Sequence, residues 1–221
     1  NQFRGSSQSA NKALTDAYKD IERMCESMGI GAIHKRAQTN FKKYDDKCRE
    51  EKKGMKAVDA VIASCVYLAC REEGHPRSMK EMCSFTSVTK KDLGKVFKQV
   101  QQRLQVNVGP LKASMLCTRF CSNLQVSHHV DVAAQEICRR AEQLNLTEGR
   151  VFTSIAGASI YMACQLKIGT VDHRTYEQIS EWTGAAEATI KQTFRDLHTK
   201  RHQLVPENYA SKDEIDRLPE Q

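Results

Sequence analysis

Between Ala57 and Cys70 only Asp59 and Ser64 interrupt the hydrophobic positions, so 12 of 14 are apolar. A helix apolar on every side has to be surrounded by other helices. Ala60, Ala63 and Ala69 would let those neighbours come close. A second such stretch runs from about Ile155 to Gln165, with Gly157 and Ala158 as its small residues. The two share a phrase, because Tyr67-Leu68-Ala69-Cys70 precedes Tyr161-Met162-Ala163-Cys164 by 94 positions.

The likeness extends downstream. Arg77-Ser78-Met79-Lys80-Glu81-Met82 aligns with Arg174-Thr175-Tyr176-Glu177-Gln178-Ile179 at an offset of 97, and Leu93 and Phe97 align with Ile190 and Phe194. Three extra residues in the second copy's loop account for the change of offset. Upstream, Ile33, Ala37 and Phe41 answer Val130, Ala134 and Cys138. The chain therefore carries a duplicated unit of about 90 residues, and repetition of this kind sets the fold before any single element does.

Each copy reads as several helices without a convincing strand. In the first, Ala13, Leu14, Ala17, Tyr18, Ile21 and Met24 form a helical stripe over Ala13–Met28, which Gly29 and Gly31 terminate. A second helix follows through Phe41, then the central helix, then two shorter ones around Lys80 and Val96. In the second copy, a helix over Thr175–Trp182, a turn at Thr183-Gly184-Ala185 and a helix from Glu187 to about Leu197 follow the central one. The fold class is all-α: two tandem helical repeats, each closing on a helix-turn-helix-like pair. We expect a disordered segment over 1–10, repeats over 11–105 and 113–208, a linker over 106–112 around Gly109-Pro110, and a tail over 209–221.

Composition narrows the function. The net charge of +7 is uneven: residues 1–106 hold 21 Lys and Arg against 13 Asp and Glu, whereas 107–221 hold 13 against 14. A basic half joined to a near-neutral half points to a polyanion or an acidic partner on one face. No apolar run approaches the length of a membrane span. The opening "NQFRGSSQSA" is polar and lacks an initiating Met, which suggests a piece of a longer protein. The nine cysteines contain no C-x-x-C pair, and Cys65, Cys70, Cys138 and Cys164 lie in apolar helical stretches. We read them as buried, reduced thiols of an intracellular protein rather than disulfide or zinc ligands.

Three features carry candidate chemistry. On the last helix of the second copy, Ile190, Phe194 and Leu197 fall on the inner face, and Ala188, Lys191, Gln192 and Arg195 on the outer one, with Thr189 beside them. Small, polar and basic groups on a helix held by a preceding helix suit a DNA major groove, although the pattern by itself more often marks an ordinary solvated face. In the first copy the equivalent helix starts "TKKDLGKVFK", with Thr89 and Asp92 as an N-terminal cap and Lys90, Lys91, Lys95 and Lys98 outward. That stripe suits an acidic protein or phosphates. The loop "REEKKGMK" surrounds Gly54 with Lys52, Lys53 and Lys56, a composition suited to phosphates or a minor groove, or simply to a flexible charged loop.

Longer stretches carry a family resemblance. "KGMKAVDAVIASCVYLACREEGHPRSMKEMC", "VTKKDLGKVFK", "RFCSNL", "GAAEATIKQTFRDL" and the tail "LVPENY…IDRLP" closely resemble the C-terminal core of the eukaryotic general transcription factor IIB, from about Ala13 to Pro219. The resemblance implies two cyclin-like repeats whose buried central helices are the repeated phrase. It also implies a nuclear, monomeric, non-enzymatic initiation factor that needs no cofactor or metal in this chain, whose full-length members add a zinc ribbon and a polymerase-contacting linker. Its partners would be the TATA-binding protein, promoter double-stranded DNA on both sides of the TATA box, and RNA polymerase II; the basic stripe leaves transcriptional activators open as a further class. By matching positions, Arg71 and Lys90, with Lys91 and Lys95 beside them, would face an acidic lobe of the TATA-binding protein. Lys53, Gly54 and Lys56 would meet the downstream minor groove, and Ala188, Thr189, Lys191, Gln192 and Arg195 the upstream major groove.

The chain departs from the animal pattern, which has Val and Arg where Ala188 and Lys191 stand, and its "KGMKAVD" loop carries an extra residue. Lysine cannot make the planar two-pronged bond of arginine to guanine, so a weaker or altered upstream preference is expected. Cyclin-like repeats also occur in kinase-regulating cyclins and other helical adaptors, and a paralogue serving another RNA polymerase is nearer still. Catalysis finds no support: His128-His129 and Cys121 have no ordering base, and no glycine-rich phosphate loop or carboxylate pair is present.

Overall fold

Both apolar stretches lie at the centre of a helical unit. The computed structural model describes the backbone of residues 2–220 and the side chains of 11–220, and all regular structure among them is helical. The first unit, Asn1–Gly109, holds α1 (Gln2–Ser27), a 3₁₀ turn at Gly31–Ile33, α2 (His34–Glu50), α3 (Val58–Glu72), α4 (Met79–Ser84) and α5 (Lys90–Leu104). The second, Pro110–Gln221, holds α6 (Ser114–Asn123), α7 (His128–Gln143), α8 (Phe152–Gln165), α9 (Tyr176–Thr183), α10 (Glu187–His198), α11 (Arg201–Leu204) and α12 (Lys212–Asp216).

The central helices α3 and α8 are buried almost throughout, because each is walled by its neighbours: α1, α2 and α5 around α3, and α6, α7, α9 and α10 around α8. The duplication is preserved in the packing. Ile33, Ala37 and Phe41 are buried in one unit, as are Val130, Ala134 and Cys138 in the other. Tyr67 meets Phe97 edge-on at 4.8 Å between ring centroids, and the equivalent Tyr161 meets Phe194 edge-on at 5.0 Å. Even the caps recur: Ser78 with Glu81 and Thr175 with Gln178 each form a reciprocal capping box at the start of the helix-turn-helix pair.

The copies diverge where shapes must compensate. Gly157 occupies the position of Ala63, and a Cβ there would lie 3.3 Å from Ile190 Cδ1 and Cγ1 and 3.4 Å from Ile179 Cγ2. The β-branched pair would have to give by a few tenths of an ångström to admit the methyl that the first copy carries. Gly157→Val should therefore destabilise the second unit by about 1–3 kcal/mol through overpacking. A compensating Ile190→Ala should recover part of that loss, so the double-variant cycle is non-additive. Denaturant unfolding monitored by circular dichroism tests this; additive losses would show that the two side chains do not compete for the same space.

Polar groups pin the seams. Arg36 donates to Glu72 from Nε at 2.8 Å and Nη2 at 3.0 Å, and Asn40 Nδ2 donates to the same carboxylate at 2.8 Å, joining α2 to α3. Burial opposes ionisation of Glu72, but these donors outweigh it and hold the carboxyl below its usual range. Eight of the nine cysteines are buried and Cys83 is half-buried; burial, with a smaller contribution from the nearby Cys70, pushes the Cys25 thiol up to about 12. No helix among the described residues is long and apolar enough to cross a membrane.

Two of the expected boundaries differ, and the one at Gly109-Pro110 stands where expected. The segment over 1–10, expected to be disordered, continues α1 back to Gln2; its side chains lie outside the described residues. In the segment read as a linker, Val106 and Val108 pack on the first core, and Leu111 and Ala113 belong to the second. The unit boundary falls between Gly109 and Pro110. The stretch read as a tail is part of the second core: Tyr209, Ala210, Ile215 and Leu218 are buried. Tyr209 Oη donates to Ala163 O at 2.8 Å, His198 Nε2 lies 3.1 Å from Leu218 O, and Arg201 Nε donates to Ile215 O at 3.2 Å.

Candidate nucleic-acid and protein interface

The second helix-turn-helix is shaped by its turn. α9 ends at Gly184, whose φ of +66 lies in the left-handed region that glycine enters without a Cβ penalty. The chain re-enters a helix after Ala186, and Ile190, Phe194 and Leu197 of α10 are fully buried against the core. That burial decides which residues face out. Ala188, Thr189, Gln192 and Arg195 are exposed, and Lys191 is half-exposed. The five sequence-assigned residues are therefore brought onto one helix surface.

They are not equally free. Lys191 Nζ lies 3.6 Å from Glu187 Oε2 and 5.2 Å from the centroid of the Tyr176 ring. The Glu187–Lys191 spacing of four residues could have been read as a helix-surface pair. Tyr176 gave no such signal, because it reaches Lys191 only through the packing of α9 on α10.

In the first unit, Thr89 Oγ1 accepts from Asp92 N at 3.2 Å and caps α5. Lys90, Lys91, Lys95 and Lys98 are all exposed along this helix, and none approaches a carboxylate within 4.0 Å among the described residues. Two of these lysines occupy the first turn, where the helix dipole disfavours cations. Asp92, in the same turn, offsets it in part. The lysine face of α5 sits in the same register as the outward face of α10, with Lys91, Lys95 and Lys98 standing where α10 has Ala188, Gln192 and Arg195.

The loop between α2 and α3 presents Lys52, Lys53, Gly54 and Lys56 to solvent. Lys53 pairs with Glu51 at 3.2 Å. Gly54 is open, with nothing within 4 Å of a Cβ built on it, and its backbone is not left-handed. The left-handed positions are Lys52, with φ 53, and Ala57, with φ 50 at the N-cap of α3. A non-glycine residue held there costs of order 1–2 kcal/mol, so the loop is bent by its flanks and not at its glycine.

Arg71 does not join the surface. It is 9% exposed, stands 6.0 Å from the Tyr67 ring centroid, and donates from Nη2 to Val108 O at 3.2 Å and Gly109 O at 3.3 Å. Its guanidinium holds the end of the first unit, and it does not share the outward lysine face of α5. The helical pattern placed it at the end of α3 but could not show that residues 37 and 38 positions away would supply its acceptors.

The duplicated core has counterparts in known proteins. A family model for the transcription factor TFIIB repeat matches the chain twice, over residues 10–103 and 106–200. The transcription initiation factor IIB of Xenopus laevis is 34% identical over 221 residues, covering 99% of this chain and 68% of that protein. The Homo sapiens protein of the same name matches with the same identity and coverage. That of Drosophila melanogaster is 32% identical over 220 residues, again covering 99% and 68%. With two repeats of the same helical plan and matches along nearly its whole length, the chain belongs to the transcription initiation factor IIB family and is the two-repeat, cyclin-like core of a general transcription initiation factor.

Proposed function

We propose that this chain bridges the TATA-binding protein and promoter DNA in the nucleus, as a monomer, and so helps recruit RNA polymerase II. The lysine face of α5 meets an acidic lobe of the TATA-binding protein. The loop over 52–56 follows the DNA backbone downstream of the TATA box, and α10 enters the major groove upstream of it. The observation that carries this reading is the set of four outward lysines on α5 without a carboxylate partner among the described residues. Such a stripe is electrostatically unfavourable in the free protein and is relieved when an anionic surface covers it.

Each of these contacts is small, so binding should require partner and DNA together. In a gel-shift with a TATA-containing duplex, this chain should produce a slower complex only when the TATA-binding protein is present. Each phosphate neutralised contributes about −0.9 to the slope of log affinity against log salt, and a total slope of roughly −3 or steeper is expected. If no slower complex forms even in dilute buffer, the bridging function is wrong.

A further inference from the structure

The register of the two helix-turn-helix pairs isolates one difference with a consequence for base recognition. Gly94 of α5 stands where α10 carries Lys191, and Met79 stands where α9 carries Tyr176. In the first unit a Cβ at Gly94 would meet only Met79 Sδ, at 3.9 Å. In the second unit the same place is filled by an ammonium over an aromatic ring.

That ring is a fixed platform. Tyr176 is buried and stacks on Tyr161 at 3.6 Å between centroids, with an interplanar angle of 16°. Lys191 therefore has two attractive neighbours on its own unit, the Tyr176 face and the Glu187 carboxylate. To reach a base edge it would have to leave both, and as a compact, strongly hydrated point charge it would gain no paired geometry there.

The first two turns of α10 offer other groups. Ala188 and Thr189, which carry methyl groups, and Gln192, which carries a carboxamide, are exposed. Among the described residues the only side-chain bond of Gln192 is long, 3.4 Å from Nε2 to Asp196 Oδ1, and Asp196 is already held by Arg150. Such a bond is readily given up.

We propose that α10 reads an A·T base pair through Gln192, while Glu187 and Tyr176 hold Lys191 away from the base edges. The carboxamide matches the N6 donor and N7 acceptor of adenine, and the Ala188 and Thr189 methyls suit the thymine 5-methyl group. Neither arrangement matches the two acceptors of guanine. This inference rests on the proposed placement of α10 in the major groove. Glu187 acts in it as a positioning residue.

The test is a base-pair scan of the DNA immediately upstream of the TATA box, in the complex with the TATA-binding protein, using this chain and its Gln192→Ala and Glu187→Gln variants. The unsubstituted chain should favour A·T over G·C at one upstream position by about tenfold, the scale of a good two-pronged base contact. Gln192→Ala should flatten that position. Glu187→Gln should keep the A·T preference but release Lys191 to phosphate, steepening the salt slope by about one. A G·C preference, an A·T preference that survives Gln192→Ala, or equal binding to every upstream sequence would overturn the inference while leaving the bridging function intact. Failure to form the complex on any duplex would instead overturn the bridging function, and this inference with it.

Discussion

Replacing Phe194 by alanine is expected to destabilise the second unit by about 3–5 kcal/mol, the range for emptying a fully buried aromatic site. The ring is completely buried on α10 and is shared by three aromatic neighbours: Tyr161 at 5.0 Å, Tyr176 at 6.4 Å and His198 at 5.6 Å. These rings cannot collapse into the hole together, since Tyr161 and Tyr176 are already stacked on each other. A loss of this size in a unit of about 110 residues lowers its melting temperature by roughly 10–25 °C. The substitution leaves the first unit and its equivalent Phe97 untouched, so thermal unfolding should separate into two steps, with the earlier one belonging to the second unit. Phe194→Leu, which retains most of the volume, should shift that step far less. A single transition unchanged in midpoint would mean that Phe194 does not hold α10 to the core.

The second large effect is electrostatic. Reversing Lys90, Lys91 and Lys95 to glutamate should weaken assembly with the TATA-binding protein on promoter DNA by about a hundredfold or more, because like charges brought together across an interface cost several kcal/mol. The three side chains are exposed and engage no carboxylate among the described residues, so their replacement removes no ion pair from the fold. Helix content should be unchanged, and the first turn of α5 should gain slightly from acidic residues near the positive end of its dipole. Raising the salt should shrink the difference between variant and unsubstituted chain, since both attraction and repulsion at the surface are screened. Lys212→Glu, an exposed reversal on α12 of the second unit, serves as the control for a charge reversal placed elsewhere and should leave assembly in place. Normal assembly by the triple variant would remove the lysine face of α5 from the interface.

Much of this architecture was legible before any coordinates. The offset of 94 around Tyr67 and Tyr161 and of 97 beyond the loop predicted equivalent positions, and these positions make equivalent contacts, down to the edge-on Tyr–Phe pair and the capping box in each copy. Helical spacing placed Ile190, Phe194 and Leu197 inside and Ala188, Gln192 and Arg195 outside, because a helix converts sequence position directly into direction. Thr89 and Asp92 announced the start of α5 for the same local reason.

Other features escaped that reading. Tyr209, Ile215 and Leu218 are too widely spaced to give a periodic signal, yet each enters a gap in the second core. Arg71 is assigned through the family resemblance, and its acceptors are backbone carbonyls that carry no side-chain signature. Lys191 looks like its neighbours on α10 until the packing of α9 brings Tyr176 beneath it.

By itself the sequence determined the duplication, the helical class, the faces of each helix and the basic bias of the first copy, since all of these follow from local spacing and composition. Only the tertiary structure decided which cations are free. Whether a lysine or arginine is available depends on the groups that other helices and loops bring within a few ångströms of it, and those distances are set by how the helices pack.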